Sequence, residues 1–176
     1  HSSFTNGIFG VSNGTQLTLN NSKIHNNNSH GIRVNYSATA DISGNDIHNN
    51  SYGIYLNGYS SADISGNDIH NNNNYGIKVE GNCMADINNT LFWGNGGYSI
   101  LSEGESNIGY NCFWNQGTTG DGLPSAFGEV ITVNANGDPS DTWSNIFMDP
   151  MLTDVDSGDY TPLAGSPLID AGHPDY

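Results

Sequence analysis

The ten-residue segment DISGNDIHNN stands at residues 41–50 and returns at residues 63–72. A copy at such short range indicates one structural unit that is stacked on itself. Around these copies a Gly-Ile pair recurs at steps of 24, 22, 23 and 23 residues, with serine replacing glycine in the last copy: Gly7-Ile8, Gly31-Ile32, Gly53-Ile54, Gly76-Ile77 and Ser99-Ile100. A repeat of this length predicts a solenoid in which one repeat makes one turn.

The apolar residues inside each copy alternate with polar ones, as in Ile32/Val34, Ala40/Ile42 and then Ile47. A period of two indicates strands, and three such runs fit within one repeat. The segments between them are rich in Asn, Gly and Ser, which favour sharp turns. We therefore predict an all-β parallel β-helix of about five to six rungs of 22–24 residues, with rungs stacked at about 4.8 Å.

The regularity of the repeat divides the chain into four parts. Residues 7–115 form the predicted regular rungs, and the first is imperfect because Gly10 aligns with Val34 and Leu56. Residues 116–128 read as a loop insertion, and residues 129–144 as the last strand region, with EVITV as one more strand. The aperiodic residues 145–176 are expected to form an irregular C-terminal cap over the core.

No matching cap precedes Gly7, so the N-terminal end of the solenoid is expected to need more chain, another domain or a neighbouring copy. The chain also starts at His1, already inside a repeat, which suggests a processed piece of a secreted protein. Cys83 and Cys112 occupy different columns of the repeat, so we expect packed thiols and no disulfide between them.

The charge balance narrows the classes of partner. The formal net charge is −15, and Lys23, Arg33 and Lys78 are the three basic residues. Nucleic acid and anionic membranes both require basic residues for neutralisation, so neither is expected as a partner. No apolar run is long enough to span a bilayer.

At this point the rung pattern Gly-Ile-x-Val followed by ADISGNDIHNN resembles the right-handed parallel β-helix repeats of the pectate-lyase-like superfamily. Three tail segments resemble the C-terminal ending of secreted bacterial and archaeal β-helix proteins: NIFMDP at 145–150, GDY at 158–160 and GSPLIDAG at 165–172. The resemblance implies right-handed coiling and a secreted or cell-surface protein that often acts on polysaccharides. It does not fix an activity, because the fold carries lyases, hydrolases, epimerases and non-catalytic surface proteins.

Two polar columns have a structural interpretation. Each lies at a bend, where side chains are expected to hydrogen-bond from rung to rung and to the turn backbone. The columns are Ser22, Asn45, Asn67, Thr90 and Asn111, and Asn27, Asn50, Asn72 and Asn95.

An outward column of imidazoles and indoles follows the inward residue of the third strand: His25, His48, His70, Trp93 and Trp114. A second aromatic column contains His30, Tyr52, Tyr75 and Tyr98. We predict substrate contacts from His48, His70, Trp93, Trp114, Tyr52 and Tyr75, because flat rings stack on sugars. The alternatives for the His/Trp column are a plain surface ladder or a transition-metal site, although side-by-side imidazoles suit a closed metal shell poorly.

Two acidic columns also repeat, Asp41/Asp63/Asp86 and Asp46/Asp68. Carboxylates one rung apart repel each other, which favours a bound cation, and Ca²⁺ prefers oxygen ligands. Solvated ladders without an ion are the simpler interpretation. A third alternative is a pair of carboxylates that acts as acid and base on a glycosidic bond.

The column Arg33, Tyr55 and Lys78 holds two of the three basic residues. In lyases of the resembled superfamily a basic side chain removes the proton beside the sugar carboxylate, so these three residues are the candidate catalytic set. Simple charge balance with nearby aspartates is the alternative.

Two functions therefore remain open. The first is a secreted or cell-surface protein that binds or acts on an acidic polysaccharide, as a lyase before a glycoside hydrolase. The second is a non-catalytic surface module, an adhesin stalk or filament subunit, which predicts concentration-dependent end-to-end assembly. Ca²⁺ is compatible with both.

Overall fold

The computed structural model describes residues 3–4, 9–115 and 123–173. In chain order its strands are β1 (Ser3–Phe4), β2 (Phe9–Val11), β3 (Gln16–Asn20), β4 (Lys23–His25), β5 (His30–Val34), β6 (Thr39–Ser43), β7 (Asp46–His48), β8 (Tyr52–Leu56), β9 (Ser61–Ser65), β10 (Asp68–His70), β11 (Tyr75–Val79), β12 (Met84–Asn88), β13 (Leu91–Trp93), β14 (Ile100–Ser102), β15 (Glu105–Gly109), β16 (Cys112–Trp114), β17 (Thr132–Val133), β18 (Pro139–Ser140), β19 (Leu152–Asp154) and β20 (Asp159–Pro162). Within the described ranges, no helix has the length and apolar character needed to cross a membrane.

Sixteen of these strands form three parallel sheets. Sheet A has the order β1-β4-β7-β10-β13-β16, sheet B the order β14-β11-β8-β5-β2, and sheet C the order β15-β12-β9-β6-β3. Every third strand is thus a neighbour in space, and one circuit through sheets B, C and A makes one rung. The predicted parallel β-helix is confirmed, with about five turns.

Columns of identical apolar residues fill the interior. The register places Ile47 beside Ile69, Ile54 beside Ile77, and Ile42 beside Ile64. The side chains of these columns are fully buried, and they include Ile24, Ile32, Ile42, Ile47, Ile54, Ile64, Ile69, Ile77, Ile87, Phe92 and Ile100. Stacking like residues at one rung spacing gives each side chain a partner of its own shape, which fills the core without gaps.

The bends between strands use left-handed backbone, which Asn and Gly adopt at little cost. Asn26, Asn49, Asn71, Gly94 and Asn115 all have φ between 48° and 62° at the bend that follows sheet A. The Gly of the Gly-Ile pair has a different role. A Cβ on Gly53 would lie 2.4 Å from the carbonyl oxygen of Gly76, so the rungs approach too closely for a side chain.

The two polar columns form the predicted hydrogen-bond ladders. In the first, Asn67 Oδ1 accepts from the backbone N–H and side-chain Nδ2 of Asn45, while Asn67 Nδ2 donates to the carbonyl of Ile42. Asn72 makes the same pattern in the second column with Asn50 and Ile47. These buried amides therefore pair backbone groups that the bends leave without a strand partner.

The first rung has a different register from the predicted one. Phe9 is paired with Ile32, Gly10 with Arg33, and Val11 with Val34. The alignment of Gly10 with Val34 is therefore wrong. A one-residue slip exchanges the inner and outer faces of a strand. The strand therefore adopts the register that pairs Val11 with Val34. Gly7 and Ile8 lie outside the described residues.

The EVITV segment contains one short strand, Thr132–Val133, and this strand lies outside the three sheets of the solenoid. Thr132–Val133 instead pairs antiparallel with Pro139–Ser140, and Ile131 and Val133 are exposed. The turn between the two strands is closed locally, where Asn134 N–H donates to Asp138 and Gly137 N–H donates to Asn134. A partner a few residues away along the chain costs less loop closure than a place in a sixth rung.

Residues 145–147 cover the C-terminal end of the core. Phe147 stacks on Phe113 with ring centroids 5.2 Å apart, and Phe127 meets Phe113 edge-on at 5.5 Å. Asn145 adds one more amide to the first ladder, and the buried Asp141 carboxylate accepts from its backbone and side-chain N–H groups. An acceptor-only group suits this position, because the ladder ends there in unpaired donors.

The rest of the C-terminal segment runs back along the outside of sheet A. Its hairpin, β19 and β20, brings Leu152 and Tyr160 onto a second apolar cluster with Leu91, Trp93 and Cys112. Both cysteines, Cys83 and Cys112, are buried free thiols, as expected. The tail thus covers a side face of the solenoid as well as its end.

Candidate functional site

The outward residues of sheet B form a surface that we term the aromatic-basic face: His30, Arg33, Tyr52, Tyr55, Tyr75, Lys78 and Tyr98. The strand register alone brings the three predicted catalytic residues together. Arg33 is paired with Tyr55, and Tyr55 with Lys78, so the tyrosine lies between the two cations. The Arg33 guanidinium carbon and the Lys78 ammonium each lie 5.7 Å from the Tyr55 ring centroid, within cation-π range.

Glu80 completes this set, although the sequence pattern did not select it. The Tyr55 hydroxyl donates a short hydrogen bond to Glu80 Oε1, and Lys78 Nζ lies 3.5 Å from the same oxygen. Burial, the hydrogen bond to Glu80 and the charge of Glu80 raise the pKa of Tyr55 to about 12. Tyr55 is therefore protonated at neutral pH and can only donate a proton. The signal in the sequence is its position two residues after Lys78, on the same face of the chain.

The aromatic ladder beside these residues is continuous. His30 lies 5.1 Å from Tyr52, Tyr52 lies 5.6 Å from Tyr75, and Tyr75 lies 5.7 Å from Tyr98, measured between ring centroids. His30 stacks on Tyr52 and Tyr75 stacks on Tyr98, whereas the rings of Tyr52 and Tyr75 are tilted by 48° to each other. Burial and the nearby Arg33 charge lower the pKa of His30. The face therefore offers phenol hydroxyls and aromatic rings beside two cations.

The His/Trp column of sheet A is stacked as predicted. Ring centroids are 4.9 Å apart for His25 and His48, 4.8 Å for His48 and His70, and 3.9 Å for His70 and Trp93, all nearly parallel. Trp114 continues the column beside Trp93 in the strand register.

The expectation that this column is open to solvent is wrong at His70 and Trp93, which are only 4% and 8% exposed. Tyr160 of the C-terminal hairpin meets both rings edge-on, at 5.4 Å and 5.2 Å. A sugar ring cannot reach Trp93 while Tyr160 lies there. Contacts from His48 and Trp114, which are partly buried, stay a prediction.

The acidic column Asp46/Asp68 is not the solvated ladder of the simpler interpretation. Asp46 is 9% exposed, and three nitrogen atoms lie near its carboxylate: Lys23 Nζ at 3.0 Å, His70 Nε2 at 3.0 Å and, beyond hydrogen-bond distance, His48 Nε2 at 3.8 Å. Burial alone would raise the pKa of Asp46, but the hydrogen bonds from His70 and Lys23 hold it below its ordinary value. Burial lowers the pKa of His48 to about 4, against the opposing pull of Asp46.

The pKa of Asp68 is shifted in the opposite direction to that of Asp46. Asp68 is partly buried in a cleft of about 240 Å³ between sheet A and the returning tail, together with Leu91, Tyr110 and Tyr160. Burial, followed by the charge of Asp46, raises the pKa of Asp68 to about 7. Burial likewise raises the pKa of Tyr160 to about 12. The cleft therefore contains one carboxyl that can exchange a proton near neutral pH.

The other acidic column lies on the outer face of sheet C. Asp41 and Asp63 are exposed, and Asp86 accepts a hydrogen bond from Asn107 at 2.8 Å. Burial and the neighbouring charges of Asp86 and Asp41 raise the pKa of Asp63. Ca²⁺ binding by this column stays a prediction.

Comparison with known proteins places the fold. The family described as "Right handed beta helix region" matches residues 2–137. The chain belongs to the right-handed β-helix family, which confirms the predicted coiling. Searches of curated proteins and of solved structures gave no match.

Proposed function

We propose that this chain is an extracellular β-helix protein that binds an acidic polysaccharide along the aromatic-basic face of sheet B. The observation that carries the proposal is the placement of Arg33 and Lys78 on either side of Tyr55. A uronic-acid polymer repeats a carboxylate and several hydroxyls along an extended chain. Cations and phenol hydroxyls repeated along the solenoid axis provide complementary hydrogen-bonding groups.

The charge distribution supports this site over other surfaces. The chain has a formal net charge of −15, so an anionic polymer is repelled from most of the surface. Two of the three basic residues lie on this face, whereas Lys23 lies on sheet A against Asp46. Glu80 contacts both the Lys78 ammonium group and the Tyr55 hydroxyl. A bound carboxylate would compete with Glu80 for the ammonium group.

An elimination activity of the lyase type is a finer proposal at the same residues. The Tyr55 phenol is protonated at neutral pH and would donate its proton to the leaving-group oxygen, while Lys78 or Arg33 would act as the base that removes the proton beside the sugar carboxylate. Binding alone needs only the cations and hydroxyls. The two activities are distinguished by whether an unsaturated sugar product forms.

Isothermal titration with polygalacturonate, alginate and a neutral glucan tests the binding proposal. We expect the two acidic polymers to bind and the neutral one not to bind, with affinity that falls as salt rises. Arg33→Gln should weaken binding by roughly tenfold, the loss of one charge-assisted hydrogen bond. Lys23→Gln removes a charge of the same sign from sheet A and is the matched control.

Two results would contradict the proposal: equal binding of the neutral glucan, or equal loss of affinity in Arg33→Gln and Lys23→Gln. The same samples report on chemistry, because elimination produces an ultraviolet-absorbing unsaturated uronate. If binding is retained but that absorbance stays flat, the lyase proposal fails and the binding proposal stands.

A further inference from the structure

Three side chains on sheet A converge although the repeat predicts only parallel columns. Asp46 and His48 lie two residues apart on β7 and therefore point to the same side, and the register sets His70 of β10 beside His48. One ligand atom from each residue lies within 4.8 Å of the other two. The nearest pairs are Asp46 Oδ1 with His70 Nε2 at 3.0 Å and Asp46 Oδ1 with His48 Nε2 at 3.8 Å.

The two nearest separations, 3.0 Å and 3.8 Å, are close to those that a small metal ion requires. Bonds of about 2.0–2.1 Å to nitrogen and oxygen in a tetrahedral shell put neighbouring ligand atoms about 3.3 Å apart. Two imidazoles and one carboxylate are donors typical of zinc and related transition metals, whereas Ca²⁺ takes oxygen ligands only. We propose that Asp46, His48 and His70 form a binding site for one divalent transition-metal ion, with zinc as the expected ion.

The surroundings of the three residues favour a held ion. Asp46 and His70 are buried, while His48 is partly exposed and leaves a path from solvent. The side-chain amide of Asn71 lies 3.1 Å from His70 Nδ1. Asn71 is exposed and can turn its oxygen toward an Nδ1 proton, which would orient the ring for a metal at Nε2.

Tyr160 and Lys23 lie beside the site, Tyr160 next to His70 and Lys23 next to Asp46. The Tyr160 hydroxyl lies 3.1 Å from His70 Nε2, so the returning tail covers the ion-binding side of that ring. Lys23 Nζ lies 3.0 Å from Asp46 Oδ2 and supplies the positive charge that a metal would otherwise bring. Because the Lys23 side chain is about half exposed, at 49%, it can move into solvent when a metal binds. Lys23 and the metal therefore compete for the Asp46 carboxylate.

Titration calorimetry of the untagged, chelator-treated protein with zinc, calcium and magnesium tests this site. We expect one zinc ion per chain and much weaker binding of the other two. His48→Gln should weaken zinc binding at least about tenfold, since even the partners of metal ligands contribute that much. His30→Gln removes an imidazole from sheet B and should bind zinc as the wild type does.

Lys23→Gln gives a test in the opposite direction, because removal of the competing ammonium should tighten zinc binding several-fold. Circular dichroism without metal checks that each variant folds, and Asp46→Asn repeats the test should His48→Gln not fold. Absent zinc binding in both the wild type and Lys23→Gln overturns the proposal. So does an unchanged affinity in His48→Gln, an unchanged affinity in Lys23→Gln, or calcium binding as tight as zinc.

Discussion

Individual Asn side chains hold the bends of this solenoid. Asn72 accepts from the backbone N–H and the side-chain amide of Asn50, and donates to the carbonyl of Ile47 and to Asn95 Oδ1. It is 1% exposed, so water cannot replace these hydrogen bonds.

Asn72→Ala should therefore destabilise the protein by about 3 kcal/mol, because two buried backbone groups lose their partners at about 1–3 kcal/mol each. Urea unfolding followed by circular dichroism measures the change. Asn73→Ala alters the exposed neighbour and should stay within about 0.5 kcal/mol of the wild type. Equal midpoints for the two variants would contradict the structural role of the ladder.

Asp46 and Asp68 occupy the same repeat position, yet their pKa values move in opposite directions. Lys23 and His70 contact Asp46, whereas Asp68 has Asp46 as its neighbour on one side and Leu91 on the other. The native state holds a proton on Asp68 up to about pH 7. Because the pKa of Asp68 is raised in the folded state, Asp68 stabilises the fold at pH values below its ordinary pKa near 3.8. This contribution is lost as the pH rises to about 7.

Asp68→Asn removes that titration. The free energy of unfolding of the variant minus that of the wild type should rise between about pH 4 and pH 7 and then level off. Above pH 7 this difference should be on the order of 2–4 kcal/mol larger than at pH 4. Urea midpoints over this pH range measure the difference. Asp41→Asn, at an exposed position of sheet C, is the matched control. A difference that does not change with pH would rule out a buried, protonated Asp68.

At the scale of elements, the returning C-terminal hairpin closes the cleft around Asp68. Tyr160 anchors it, through edge-on contacts with His70 and Trp93 and a hydroxyl 3.1 Å from His70 Nε2. Among the strands that the structure describes, β19 and β20 form a sheet of two, and a two-stranded hairpin has little stability alone. The position of the tail therefore depends on this side-chain packing.

Tyr160→Ala should loosen the hairpin while the solenoid stays folded. Hydrogen exchange at residues 151–163 should accelerate by roughly tenfold or more, as expected for the loss of about 1.5–3 kcal/mol of aromatic burial. Tyr160→Phe keeps the ring and should give a smaller effect. Tyr59→Ala, at a tyrosine that is 72% exposed, is the control. Exchange that stays at the wild-type rate in Tyr160→Ala would show that other contacts hold the tail.

At the scale of the whole molecule, the three cations are placed by the sheets they belong to. Sheet B groups Arg33 and Lys78 around Tyr55, and sheet A sets Lys23 against Asp46. The proposed glycan face and the proposed metal site therefore lie on different sides of the solenoid. End-to-end assembly through the N-terminal rung stays a prediction, because most of the residues before Phe9 lie outside the described ranges.

The repeat was sufficient to predict the solenoid, its inward columns and its amide ladders, because each of these depends on one residue type recurring at one spacing. Gly53 and Asn72 are examples, because the same local geometry recurs in successive rungs and selects the same residue in most of them. The predicted register of the first rung was wrong because Phe9, Gly10 and Val11 interrupt the pattern. The hairpin at Thr132–Val133 was missed because β-propensity does not say which partner a strand pairs with.

The sequence by itself thus determined the parallel β-helix, since a period of 22–24 residues with alternating apolar positions can bury its core only by stacking. The tertiary structure decided how the two copies of DISGNDIHNN differ in the burial and contacts of their equivalent residues. His48 and His70 are the same letter of the repeat, but only His70 lies beneath Tyr160, which is 90 residues further along the chain. Burial at such a position comes from a segment outside the repeat, so no periodicity in the sequence encodes it.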